Sequence, residues 1–433
     1  MGENLRLWST VTALKTDAMT PQPAASAKSL PLDRDIATAI GLLVVVTAGA
    51  YIPTPMYPVY QQLFGFSDLV MTLIYATFAA VSAPALLLFG PASDALGKRF
   101  VILLCIAFSA VGALCFLFAT GPAWLLIARV AQGLSIAAAT AAGLALIVER
   151  TAPERRAWAS VIATVAFVGG SVIGTLASGV IVEYAPFPRY APYVLLLVLL
   201  AIGWVRASRI ESFPTMPLRA WRPVRPQVPR EIRTRFVLAA ASGSAAWIAM
   251  TLFLSVIPAL LARSAGITSP VVSAGVLAAM LMCSLLTQLL AVRVSAVKMQ
   301  LAGLCALSVG LIGLAFDGGG SIVPTLVCAV LSGLGNGLAY AGATASIDMV
   351  TTNRNRGAVN AALYIFFYLA TGAPPIAVGL LTAWIPLGTA LSWISWFGAA
   401  VAVATIAAII SLGLHARGRA EKCGRGAGGA AIA

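Results

Sequence analysis

The 433-residue chain is 60% hydrophobic and only 10% charged, with a formal charge of +14 and a mean hydropathy of +0.95. A soluble domain of this size cannot cover so much apolar surface, and repeated runs longer than about 18 apolar residues mark membrane-spanning helices. Lipid offers backbone amides no partners, and strict period-2 alternation is absent, so the expected class is an all-α polytopic membrane protein and not a barrel.

The first 33 residues are rich in Ser, Thr, Pro and Ala without an apolar core, and they read as a mobile tail, not a cleavable signal. Twelve apolar spans follow, at 36–57, 69–90, 99–119, 124–148, 157–183, 190–207, 236–262, 271–292, 299–316, 322–348, 358–383 and 388–414. If the N-terminus is cytoplasmic, 25 of the 28 bases lie on the inner side; Arg189 and Arg263 fall outside, and Arg129 lies within a span. This positive-inside bias puts both termini in the cytoplasm and makes the charge a topology signal, not a nucleic-acid footprint. The domain reading is a tail at 1–33, a six-helix bundle at 34–207, a basic Pro-rich linker at 208–235, a second bundle at 236–414 and a mobile tail at 415–433.

The first span ends in YIPTPMYPVYQQ, where Pro53, Pro55 and Pro58 stand among tyrosines including Tyr51. This predicts a broken or terminating helix near the outer side, of the kind that can line a cavity. Between spans 2 and 3, GPASDALGKR is expected as a short inner loop, with Gly90 allowing close helix approach and Gly97 a tight turn. Asp94 is an acid on the base-collecting side and can pair with Lys98 or Arg99. The fourth span carries Arg129 about one turn inside the outer boundary marked by Trp124, with Gln132 and Gly133 on the same face. A base at membrane depth is either snorkelling or functional. In the fifth span, Gly170, Gly174 and Ser178 recur every four residues ahead of Gly179, a stripe that lets helices touch closely.

The central linker separates six spans from six. Its arginines are either solvated topology charges or a contact for anionic lipid. Sliding the chain by 200 positions then sets Pro58 on Pro258, Lys98 on Lys298, RVAQG on AVLSG and Gly179 on Gly379, which points to an internal duplication. Two tandem halves with a site between them form a known transporter architecture. The second copy lacks the first copy's acid and arginine, and Pro374 with Pro375 is expected to kink span 11 and free carbonyls. Six cysteines without C-x-x-C spacing and a single histidine give no metal or triad chemistry, so no cofactor and no enzyme activity are expected. GGG at 318–320 reads as an outer turn.

The pattern G-x-x-x-D-x-x-G-K-R resembles the signature of the major facilitator superfamily, and the likeness extends over the twelve spans, the linker and the duplication. The resemblance implies a cytoplasmic gate built from Gly90, Asp94, Gly97, Lys98 and Arg99, extended to Glu149 at the inner end of span 4. It also matches R-x-x-Q-G at Arg129, Gln132 and Gly133, a motif associated with proton coupling or substrate handling. The run GGSVIGTLASG is similar to the fifth-span motif of family antiporters but lacks its proline. With spans 1, 4, 7 and 10 lining the path, Tyr51, Trp247, Asn336 and Tyr340 are candidate pocket residues beside Arg129 and Gln132.

These features imply a monomeric secondary transporter in a plasma membrane, a bacterial inner membrane, closest in motif to twelve-span drug or metabolite proton antiporters. Its partners would be a small-molecule substrate, protons and the lipid bilayer. The competing readings are an importer or facilitator of a sugar or organic anion held by Arg129, and a membrane sensor. A difficulty for antiport is that no acid sits at a predicted midplane.

Overall fold

The computed structural model describes residues 34–211, 214, 216–217, 221–290, 294–317, 319–352 and 355–429, with the side chains at 153, 156–158 and 413–429 excepted. The expected tail at 1–33 and Arg219, Arg293, Gly318 and Arg354 lie outside the described residues. From Asp35 onward the chain forms one compact unit. The first half contains α1 (Arg34–Tyr51), α2 (Tyr57–Phe64), α3 (Asp68–Leu96), α4 (Lys98–Leu117), α5 (Pro122–Arg150), α6 (Arg156–Tyr184) and α7 (Ala191–Ala207). The second contains α8 (Arg233–Arg263), α9 (Pro270–Leu290), α10 (Ala296–Asp317), α11 (Ile322–Asp348), α12 (Arg356–Leu381) and α13 (Leu387–Gly429).

Eleven of the described helical stretches are long and apolar enough to cross a membrane, α1 and α2 together counting as one. The expected sixth span, α7, has 17 residues and reaches about 26 Å at 1.5 Å per residue, just short of a hydrocarbon core. Two other boundaries, at Gly90–Leu96 and at the last helix, differ from expectation, while the break in the first span falls where its prolines place it. Gly90–Leu96 is not a loop: α3 continues to Leu96, and Gly97 alone makes the turn, at φ 85° and ψ 142°. The Ala, Ser and Leu residues of that stretch tolerate helix, whereas only glycine enters such a φ freely. The first span breaks at Ile52, passes through a 3₁₀ turn at Thr54–Met56, and resumes as α2. The last helix, expected to end at 414 ahead of a mobile tail, runs to Gly429.

Prolines organise the interior, because each removes one donor and frees the carbonyl four residues earlier. Pro53 frees the Gly49 carbonyl, which accepts from Gln132 Nε2 at 2.9 Å. Pro375 frees the Thr371 carbonyl, which accepts from the Thr251 hydroxyl at 2.8 Å. Span 11 stays helical through both prolines. Pro91 frees the Leu87 carbonyl, and the linker amide of Val224 claims it at 3.2 Å. In each case a group from another element replaces the lost bond, so the prolines tie elements together.

The halves meet chiefly where α3 runs along α12 and α6 along α9. The duplication is visible in these contacts. A side chain at Gly179 would meet Pro270 and Ala274 at the start of α9, and one at Gly379 would meet Leu69 and Thr72 at the start of α3. Positions 200 residues apart thus make equivalent contacts on opposite sides of the bundle.

Candidate substrate pathway and its two mouths

Helix alternation places Lys98, Arg99, Arg150, Arg222, Lys298 and Arg356 on one face, called the basic face below. Lys98 is buried at the start of α4 and pairs with the half-exposed Glu149 at the end of α5. This ion pair lies within the first half. Asp94 is exposed, and its carbonyl, one of the orphans at the end of α3, accepts the linker amide of Met216 at 3.2 Å. Arg99 is exposed. Gly90 faces open space, with nothing within 4 Å of where a side chain would begin, contrary to the expected close approach.

Contact across the basic face runs through the linker. Its amides bond the α3 carbonyls of Leu87 and Asp94 and, from Gln227 at 3.4 Å, the Ala358 carbonyl of α12. Arg150 holds the linker's start by donating to the Glu211 carbonyl at 2.7 Å, and it pairs with Asp35 at 3.1 Å. Val228 and Ile232 pack against the apolar cluster around Phe236 and Val359.

The opposite face is closed by direct bonds between the halves. Arg263 of α8 grips Asp68 of α3 with two nitrogens, at 2.8 and 2.7 Å, and donates to Gln61 at 2.7 Å. Gln61 returns a bond to Asp68 at 2.7 Å, closing the network. A second bridge is made by Glu183 of α6, which accepts from the Ser269 hydroxyl and from the Val271 amide at 3.0 Å. A carboxylate there meets the positive end of α9. Sequence reading missed both bridges; Asp68 and Arg263 stand 195 positions apart and match no motif.

Between the mouths, Arg129 neither snorkels nor faces an open site. It is 2% exposed and donates to the Tyr57 hydroxyl through Nε and Nη2, and through Nη1 to the Ala50 carbonyl and Gln132 Oε1, both at 2.8 Å. Its guanidinium lies 5.4, 5.9 and 5.6 Å from the ring centres of Tyr57, Tyr75 and Phe78. Ala50 and Gly49 sit where α1 ends, so Arg129 and Gln132 satisfy two orphan carbonyls and set a cation at the negative end of the helix. Ser178 completes the brace by donating to the Ile52 carbonyl at 2.7 Å. Among the described residues no acid pairs with Arg129. At an effective dielectric of about 20, this cation repels a second one about 10 Å away by about 1.7 kcal/mol.

Glycines let the brace close. A side chain at Gly174 would strike the Ala48 backbone at 2.5 Å, one at Gly170 the Val44 carbonyl at 2.6 Å, and one at Gly133 the Phe78 carbonyl at 2.9 Å. The first two belong to the α1–α6 contact, the third to α3–α5.

The candidate pocket residues divide. Tyr51 lies within electrostatic reach of Tyr75 and, across the halves, of Tyr368. Trp247 stacks on Phe367 with ring centres 5.8 Å apart and meets Tyr340 and Tyr368 at 6.1 and 5.7 Å. Tyr340 and Tyr364 share a hydroxyl contact at 3.2 Å. Asn336 does not belong to this group: it accepts from Ser284 at 2.7 Å and donates to the Ala246 carbonyl at 2.8 Å, knitting α9, α11 and α8 together. An amide satisfied on both sides is part of the packing. The α12 rings at 364, 367 and 368 were overlooked, though their i, i+3, i+4 spacing marks one helix face.

A two-half helical bundle, latched at one mouth, strapped at the other and lined between them by aromatic rings, defines a membrane transporter. The chain matches the Major Facilitator Superfamily model over residues 39–316 and belongs to that family. It is therefore a multi-pass membrane protein that transports small molecules and is not an enzyme. Its fold is similar to that of a bacterial homolog of the human lysosomal transporter Spinster, in an inward-facing, unoccupied conformation, with a TM-score of 0.62 at 17% identity over 87% of this chain and 95% of that one. It is also similar to the human organic anion transporter MFSD10 (TETRAN), with a TM-score of 0.63 at 15% identity over 88% of this chain and all of that one, 100%. No curated protein sequence matches the chain.

Proposed function

We propose that the chain is a secondary active transporter working by alternating access, and that it exports small apolar or amphipathic compounds, drugs or metabolites, in exchange for protons. The observation that carries this reading is the inequality of the two mouths. Direct bonds at Asp68 and Glu183 join the halves on one face, while on the other the linker touches both α3 and α12. A bundle held this way has one closed and one openable end, and rocking the halves would exchange them.

The basic face is taken as cytoplasmic, in the inner membrane of a bacterium, with the chain acting as a monomer. In the complementary state Gly90 is the place on α3 where α12 can approach, and Asp94, Gly97, Lys98, Arg99 and Glu149 form the lock on that side. Asp68 and Glu183 hold the opposite mouth as carboxylates, through charge-assisted hydrogen bonds that rocking has to break. The matched R-x-x-Q-G motif supports a drug or metabolite antiporter, with Arg129, Gln132 and Gly133 bracing the path and not carrying the proton. The importer reading, with Arg129 as the anion ligand, is disfavoured by the existing partners of the guanidinium.

The test is efflux of a neutral fluorescent dye from vesicles under an imposed proton gradient. The expected result is gradient-dependent flux that falls at least tenfold in Asp94→Asn at matched abundance. Dye movement indifferent to the gradient removes antiport, and full flux in the variant removes the lock.

A further inference from the structure

We infer that the chamber between the halves admits planar aromatic compounds that carry no positive charge, and discriminates against cations of the same shape; this rests on the transport reading above. The chamber wall is aromatic on both sides. Tyr51 and Tyr75 come from the first half, and Trp247, Tyr340, Tyr364 and Tyr368 from the second. All but Tyr75 are half-buried despite their mid-span positions on interior faces, as expected of side chains that line an enclosed space.

Aromatic walls often hold cations, because a ring face is electron-rich. Here several faces are already taken. Arg129 sits over Tyr57, Tyr75 and Phe78. Phe367 covers one face of Trp247 at an interplanar angle of 16°, and Tyr368 meets Trp247 edge to face at 62°. The faces of Tyr75 and Trp247 that these neighbours cover are closed to a ligand, which leaves fewer electron-rich faces for a cation.

Charge argues in the same direction. The described acids nearest the chamber lie at helix ends: Asp68, Glu183 and Asp317 on one face, Asp35, Glu149 and Asp348 on the other. Asp348 is within electrostatic reach of Tyr340 and Tyr364, but Arg356 already pairs with it at 3.5 Å. Arg129, without an acidic partner, stands behind Tyr75, which itself faces Thr251 of the other half. A cationic ligand would lose its water, gain no counter-charge and meet this field. A neutral aromatic escapes that penalty, and an anionic one gains from the field.

The test uses the full-length protein and three matched probes: 2-naphthamide, 2-naphthoate and 2-naphthylmethylammonium. Binding is read by thermal stabilisation and by competition against dye efflux. The neutral and anionic probes are expected to bind, and the cation to be at least tenfold weaker. Trp247→Ala should weaken 2-naphthamide about tenfold, while Trp247→Phe keeps most of the affinity and controls for folding. Arg129→Gln should narrow the cation's deficit. A cation that binds as well as the amide overturns the inference, as does amide binding untouched by Trp247→Ala. If none of the three binds, the ligand class is wrong; a dye flux that still responds to the proton gradient then leaves the transport reading standing.

Discussion

Replacing Asp68 with Asn and Glu183 with Gln together is expected to open the mouth opposite the basic face. Arg263 then loses a two-point charge-assisted grip, and the start of α9 loses the carboxylate that accepts from the Val271 amide. The Asp68–Arg263 grip joins a partly exposed base to a largely buried acid, between an exposed ion pair at about 1 kcal/mol or less and hydrogen bonds to a charged group at about 1.5–3 kcal/mol. Losing it shifts the balance between the two states by about tenfold, given 1.4 kcal/mol per decade, and losing the exposed Glu183 bridge adds to that shift. The readout is labelling from the opposite face of a cysteine placed at Thr251, which is fully buried here at 0% exposure. Labelling should rise at least tenfold in the double variant, with each single variant in between. Because Arg263 is partly exposed, high salt should move the wild type the same way. Unchanged labelling would mean that the bridges decorate a mouth closed by packing alone.

The second large effect is expected at Arg129. Replacing it with Met leaves the Ala50 carbonyl, the Tyr57 hydroxyl and Gln132 Oε1 without their donor in a buried site. Each unsatisfied buried group costs about 1–3 kcal/mol, so destabilisation of about 3 kcal/mol or more follows even after the relief of removing a buried charge. The measurement is thermal unfolding in detergent alongside flux per folded molecule. Arg129→Met should lower the transition by many degrees and abolish flux, while Arg129→Lys recovers part of the stability through its flexible donors. A Met variant as stable as wild type would show that the end of α1 needs no brace.

How much of this could be read from the sequence depends on the range of the contact. Span positions were legible because lipid forces apolar runs of fixed length, and Ile322–Asp348 falls where the pattern places it. Gly97 was legible as a turn, since a single glycine between two helix-forming runs leaves few alternatives. The run to Leu96 was not, because glycine, proline and charge in one stretch look like a loop when the neighbouring linker is unseen. The α1 break was expected from its prolines, but its repair by Gln132, Arg129 and Ser178 depends on helices up to 126 positions away. Asn336 misled for the converse reason: polarity inside an apolar span marks a ligand site and a satisfied packing bond equally well. The chain's 200-residue offset remained visible in glycines because backbone contact tolerates no side chain, whereas the acids and bases of the two copies have diverged.

The most direct test of the rocking account is a pair of spin-label distances recorded in vesicles on a cysteine-free background. One pair joins Gln62 to Ser264 across the latched mouth, the other Leu96 to Gly357 across the strapped one; all four positions are exposed. In the Asp68→Asn, Glu183→Gln double variant, which removes both bridges, the first distance should lengthen as the second shortens relative to wild type, in matching populations. Two distances that stay fixed, or that grow and shrink together, would contradict an alternating pathway through this bundle.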